Sequence, residues 1–291
     1  MGIFRSLISD VGSAGGIHCP PGRRDRRFGD SALSVTFPPV TAGPFPASHT
    51  PKLPAMRPLL SLCFSLLLFA SCNFMGRRVR GNGVHGSEQR SVRDFSRLEV
   101  SGPIDVVLAQ GAPSVRIEGD QNLLEYVEVN QSGSTVQVRL RRNVHISSEN
   151  DFKVYVTGSG FRSVQVTGSG DLTGNGRLRG EDLEVTITGS GSVALDVDMP
   201  RVRAEVTGSG DARLSGTTRT FEGEINGSGN IAAYGLMSED TKVEINGSGD
   251  AEVFASKQLE VDIAGSGDVA YKGTASVNQS VHGSGSVRKV N

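Results

Sequence analysis

Along the C-terminal half of the chain apolar and polar residues alternate in short bursts, and most bursts run into the tripeptide Gly-Ser-Gly. The apolar positions form triplets at every second residue: Leu183/Val185/Ile187, Val202/Ala204/Val206, Phe221/Gly223/Ile225, Thr241/Val243/Ile245, Leu259/Val261/Ile263 and Val277/Gln279/Val281. A period of two predicts a strand with one buried face. After each tripeptide the alternation resumes, at Val193/Leu195, Ala212/Leu214, Ile231/Ala233, Ala251/Val253, Val269/Tyr271 and Val287/Lys289. Each unit therefore predicts a strand, a glycine corner, a second strand and a short polar return.

The corner glycines are Gly158 and Gly160, Gly168 and Gly170, Gly189 and Gly191, Gly208 and Gly210, Gly227 and Gly229, Gly247 and Gly249, Gly265 and Gly267, and Gly283 and Gly285. First-glycine spacings are 10, 21, 19, 19, 20, 18 and 18. A flexible Gly/Ser linker carries no such period and no alternating flanks. A unit of this length cannot close a core alone, but stacked copies align their triplets into one apolar column. The pattern predicts an all-β fold, a single-stranded parallel β-solenoid with repeats of about 19 residues. A β-sandwich of hairpins is the runner-up, since two strands about a tight turn also describe a hairpin. Residues 92–150 read differently. Strands are expected at Phe95–Val100, Ile104–Leu108, Val115–Ile117, Val127–Val129 and Val136–Leu140, with a short helix or turn at Gln121–Tyr126. This is expected to be an irregular N-terminal β cap over the first sheet edge, ahead of a solenoid spanning residues 151–291.

Upstream the character changes. Nine of the twelve prolines fall within the first 58 residues, which carry no sustained hydrophobic period. Residues 1–55 are expected to be disordered, or to precede the true start of translation. Met56-Arg57-Pro58 then opens onto an apolar run, Leu59–Ala70, of the length of a signal-peptide core and too short to span a bilayer. It closes on Phe69-Ala70-Ser71-Cys72, which resembles a bacterial lipobox, so Cys72 is the expected lipidation site and mature N-terminus. A secretory signal cut nearby and an uncleaved signal anchor are the alternatives. Residues 72–91 would be a flexible tether.

Composition narrows the chemistry. Of three cysteines, Cys19 and Cys63 precede Cys72, which excludes disulfides, thiolate zinc sites and cysteine nucleophiles from the mature chain. Residues 72–291 carry 23 basic and 28 acidic side chains, so the acyl chains rather than a basic patch would provide the anchor, and a globally basic nucleic-acid binder is excluded. Residues following the tripeptides include Asp171, Asp211, Asp250 and Asp268, a possible ion or ligand ladder, but Phe161, Ser192, Asn230 and Ser286 interrupt it. Asx turn chemistry accounts for such a series without calcium. Residues preceding the tripeptides, Thr157, Thr167, Thr188, Thr207, Asn226, Asn246, Ala264 and His282, suit hydrogen-bonded stacking or a polar groove for a glycan. No nucleophile elbow, P-loop or dinucleotide fingerprint is present, so no catalytic residue, metal or cofactor is expected.

The stretch Arg93–Val100, then Ile104–Leu108, then Gly119–Leu124, followed by the glycine repeats with their aspartates, resembles the family described as "putative auto-transporter adhesin, head GIN domain". The resemblance spans about Val92 to Asn291 and implies an exported bacterial envelope protein of adhesin-like role. The function expected is a non-catalytic, lipid-anchored adhesin or scaffold, probing glycans or envelope proteins with a rigid polar surface and taking no nucleic acid. A polysaccharide lyase or glycosidase on a β-helix is the alternative, with Asp250 and Asp268 as its candidate carboxylate pair.

Overall fold

The structure, a computed structural model, describes residues 77–148 and 152–291. The proline-rich leader, the signal-like run, the lipobox and Cys72 lie outside the described residues.

Two sheets run the length of the molecule, one of ten strands and one of eleven. In the first, Ser163–Gly168, Asp182–Gly189, Arg201–Gly208, Thr220–Gly227, Asp240–Gly247, Gln258–Gly265 and Ser276–Gly283 pair in parallel, each with the next. In the second, Asp171–Arg179, Ser192–Asp198, Asp211–Thr217, Asn230–Met237, Ala251–Phe254, Val269–Lys272 and Val287–Lys289 do the same. One strand from each sheet with the Gly-Ser-Gly between them makes a rung, and the rungs stack about 19 residues apart into a β-solenoid of about seven turns. The runner-up sandwich of hairpins is excluded, because within the repeats consecutive strands do not pair with one another.

Equivalent positions stack without slip in the first sheet, Val185 on Ala204 and Ala204 on Gly223. The triplets of every rung but the last face inward as expected. Leu183, Val185, Ile187, Val202, Ala204, Val206, Phe221, Ile225, Val243, Ile245, Leu259, Val261 and Ile263 are buried, as are the facing Val193, Leu195, Ala212, Leu214, Ile231, Ala251 and Val253. Thr241 breaks the apolar rule and is nonetheless buried. Its hydroxyl lies 2.6 Å from that of Ser238 and donates to the Phe254 carbonyl at 3.0 Å, so the polar atom is satisfied inside the core.

The N-terminal region departs from the expected order. Arg97–Ser101 and Asp105–Gln110 form a full rung, with Ser101-Gly102-Pro103-Ile104 in place of the glycine tripeptide, and Ser163–Gly168 and Asp171–Arg179 stack directly on it. The two sheets therefore pass unbroken through the residues expected as cap and those expected as solenoid. Beneath this rung lies a later piece of chain, with Thr135–Leu140 in one sheet and Lys153–Gly158 in the other. The edges beyond are antiparallel: Val127–Ser132 on the first sheet, and Ser114–Asp120 followed by His85–Arg90 on the second. A 3-10 helix, Gln121–Tyr126, buries Leu123, Leu124 and Tyr126 across the end of the core. A separate two-stranded parallel ribbon pairs Arg77–Arg80 with Val144–Ser147.

This threading separates the first tripeptide from the others. Gly158-Ser159-Gly160 is the return that carries the chain from Lys153–Gly158 past the first rung, which explains its spacing of 10. Phe161 is buried there against Phe95, ring centroids 5.8 Å apart and edge to face, so neither Phe161 nor Thr157 joins the columns in which the alignment put it.

Candidate binding surface

Seven Gly-Ser-Gly corners stack along one side of the solenoid. At Gly208 φ is +117°, a region side chains rarely adopt, and a Cβ would sit 2.5 Å from the Gly189 carbonyl oxygen below. At Gly210 a Cβ would meet the Gly191 carbonyl oxygen at 2.5 Å and Ile187 at 2.7 Å. The first glycine thus supplies the turn, and the second lets consecutive corners approach at the strand spacing of about 4.8 Å. Gly168, Gly170, Gly189, Gly191, Gly227, Gly229, Gly247, Gly249, Gly265, Gly267, Gly283 and Gly285 take equivalent places. Gly160, in the return, would meet nothing within 4 Å.

Beside the corners the aspartates form a hydrogen-bonded ladder. Asp171 accepts the Ser192 amide at 3.0 Å and its hydroxyl at 2.7 Å. Asp250 accepts the Asp268 amide at 2.8 Å, and Asp268 accepts the Ser286 amide at 2.8 Å and hydroxyl at 2.9 Å. Asn230 links both ways, donating to Asp211 at 2.9 Å and accepting the Asp250 amide at 3.2 Å. A carboxylate or amide oxygen thus caps the first amide of the next rung. The series starts one rung earlier than the glycine motif indicated, with Asp105 accepting the Asp171 amide at 3.1 Å. Among the described residues no group of three or more His, Cys, Asp or Glu could hold a metal ion.

On the other side of the corners, Thr167, Thr188, Thr207, Asn226, Asn246, Ala264 and His282 stack in register. Asn246 donates to Asn226 at 3.2 Å. Two residues back lies a column that reading only the residues beside the tripeptides missed: Glu205, Glu224, Glu244 and Asp262 stack rung on rung, all half-buried. Like charges at this spacing cost on the order of 1 kcal/mol per pair in water. Part of that cost is offset, since Arg203 reaches Glu224 at 2.6 Å and Asn226 donates to it at 2.9 Å. The next column outward alternates in sign, Glu184, Arg203, Glu222, Lys242 and Glu260. Hydrogen bonding to Glu222 raises the already high pKa of Arg203 further, fixing its charge. Carboxylates, amides and hydroxyls therefore form one polar band along the solenoid, about 30 Å long over seven corners. The opposite sheet carries a shallow trough of 460 Å³, floored by Thr173, Ala194 and Ala232 and edged by Arg213.

The family described as "Putative auto-transporter adhesin, head GIN domain" matches residues 94–275. The chain belongs to this family. The matched stretch covers every rung except the last. Among solved structures, a "putative adhesin" from Bacteroides fragilis superimposes with a TM-score of 0.69 at 19% identity, over 73% of this chain and all of that one. A "putative lipid binding protein" from Parabacteroides distasonis gives 0.62 at 23% identity, over 74% of this chain and 100% of its own. A "putative adhesin" from Parabacteroides merdae gives 0.57 at 23%, over 74% of this chain and 99% of its own. At these identities the structural likeness establishes the fold. A comparison with curated proteins gives no match. Membership of a family of adhesin head domains points to a bacterial surface or envelope protein that binds other molecules. Among the described residues no helix is long and apolar enough to cross a membrane.

Proposed function

We propose that this head GIN protein is a non-catalytic envelope lipoprotein, tethered through an acylated Cys72, that binds glycans along its polar band. The observation that carries the reading is the register of that band. Polar side chains recur along it, rung after rung, at the strand spacing, which suits a polymer of repeating hydroxyls better than a single small substrate. The Asp250 and Asp268 carboxylates each accept a backbone amide from the following rung through one oxygen, a capping use that they share with Asp105, Asp171 and Asn230 and that supports a structural role for the ladder.

The full chain, assayed on a polysaccharide panel with and without calcium, is expected to be retained without releasing sugar ends. Glu224→Gln combined with Glu244→Gln should weaken retention about thirtyfold, at roughly 1 kcal/mol for each charge-assisted hydrogen bond changed. Release of new reducing ends would overturn the proposal. For the anchor, Cys72→Ala should abolish acylation as read by mass spectrometry of the N-terminal peptide, together with detergent-phase partitioning of the mature chain. Retention of both would refute the lipobox.

A further inference from the structure

Six of the eight residues in the runs 77–80 and 139–142 are arginines. The fold brings the two runs together, because Arg77–Arg80 pairs with Val144–Ser147, with Arg77 beside Val144 and Arg78 beside His145. The Arg77 amide donates to the Asn143 carbonyl at 2.7 Å, and Asn143 has a φ of +61°, which marks the sharp turn that holds Arg142 outward. All six guanidinium side chains belong to exposed residues. Glu128 engages two of them, Arg139 at 3.0 Å and Arg141 at 3.8 Å. Arg77, Arg78 and Arg142 make no ion pair among the described residues.

Beside these arginines runs a groove of 430 Å³ between the ribbon and the corner of the first rung. Pro103, Leu140, Val144 and Ile146 give it apolar walls, and Arg139, Arg142 and His145 stand at its rim. A basic rim over an apolar trough has the polarity of a site for a phosphate ester with a hydrocarbon neighbour. The position of the chain narrows the choice. Arg77 is five residues after Cys72, and five residues span at most about 18 Å. An acyl chain on Cys72 would therefore keep this ribbon within reach of the headgroups.

We propose that the ribbon Arg77–Arg80/Val144–Ser147, with the groove beside it, docks on the anionic phospholipid headgroups of the leaflet that holds the anchor. The proposal rests on acylation of Cys72 for its placement but not for its chemistry. It also explains how a mature chain of net negative charge approaches an anionic surface. Six arginines are gathered at the ribbon and the run beside it, while the column that begins at Glu205 starts three rungs beyond the first, farther than a Debye length of about 8 Å; of the ladder carboxylates, Asp105 lies in the first rung. Docking would set the N-terminal end of the solenoid against the membrane and point the polar band away from it.

The chain contains no tryptophan, so His145→Trp in the full chain gives a single reporter on the ribbon. The protein is reconstituted into phosphatidylcholine vesicles carrying brominated acyl chains, with or without ~30% phosphatidylglycerol, a content that makes the surface strongly negative. Bromine quenching is expected to be several-fold stronger with the anionic lipid and to be lost at ~0.5 M sodium chloride. Adding Arg77→Gln, Arg78→Gln and Arg142→Gln should lower the weight of the docked state about a hundredfold, at about fivefold per charge. Equal quenching in neutral vesicles, or none in either with Cys72 shown to be acylated, overturns the proposal. So does competition by inorganic phosphate at matched ionic strength, which would assign the site to a free anion. Anionic-lipid-dependent quenching on a chain whose Cys72 carries no acyl group sustains the docking surface and refutes the anchor alone.

Discussion

The two ends of the solenoid solve the same problem differently. Inside the stack every core side chain is covered by a rung above and a rung below. At the N-terminal end the covering is built from other structure: three antiparallel strands extend the sheet edges, and Leu123, Leu124 and Tyr126 close the core. At the C-terminal end the last rung has a neighbour on one side only. Val281 is 36% exposed, Val277 and Val287 are half-buried, and Gln279 stands where the equivalent residue one rung back is the fully buried Val261. Burial in a repeat fold is thus a property of the neighbour as much as of the residue. The same triplet position is core in one rung and surface in the next.

The sharpest way to break that comparison is to place one charge at equivalent positions of adjacent rungs. Val261→Asp buries an unpaired carboxylate between two rungs and should cost about 4 kcal/mol or more, a large fraction of a typical domain's stability. Gln279→Asp, stacked directly on it, should change stability by less than about 0.5 kcal/mol, because water still reaches the group. Urea titration followed by far-UV circular dichroism separates the two. Comparable losses would mean that the terminal rung is covered in solution, and the contrast between the ends would fail.

The same contrast shows what was legible in the sequence. The interior rungs were readable because their spacing, triplets and corners repeat, and a regular sequence can only satisfy a regular stack. The spacing of 10 between Gly158 and Gly168 was the visible sign that the first tripeptide does something else. The first rung was hidden because Gly102-Pro103 replaces the motif, although Leu98/Val100 before it, Val106/Leu108 after it and Asp105 beside it match later rungs. That the chain leaves this rung to build the one beneath, then returns through Phe161, is a non-local ordering no period encodes. The acidic column was present at a constant offset from four of the seven corners. The arginine ribbon was not legible, since it joins runs about 60 residues apart and the net negative charge of residues 72–291 conceals it.

A smaller effect tests the division between stacked and unstacked glycines. Gly210→Ala drives a Cβ to 2.5 Å from a backbone oxygen that cannot move without its rung, and should cost about 2 kcal/mol or more. Gly160→Ala meets open space at an ordinary φ and should be neutral, or stabilising by up to about 1 kcal/mol through the unfolded chain. Equal melting shifts for the two would contradict the assignment of Gly158-Ser159-Gly160 to a return.

The smallest effect concerns the ladder, and it decides whether the Asn between two aspartates matters. Asn230 donates its amide to Asp211 and offers its oxygen to the Asp250 amide. Asn230→Asp keeps the oxygen, removes the donor and sets four carboxylates, at positions 211, 230, 250 and 268, in consecutive rungs. The lost hydrogen bond and the added repulsion together should cost about 1 kcal/mol at low ionic strength. Most of the repulsive part should vanish at ~0.5 M salt, where screening acts over a few ångströms, while the hydrogen-bond part stays. Denaturant midpoints of the wild type and variant at two sodium chloride concentrations read this directly. A gap that narrows with salt assigns to Asn230 the role of spacing like charges. If the gap is unchanged, Asn230 acts only as a donor. If calcium rather than sodium closes it, four stacked carboxylates suffice to build an ion site that Ser192 and Asn230 interrupt in the native ladder.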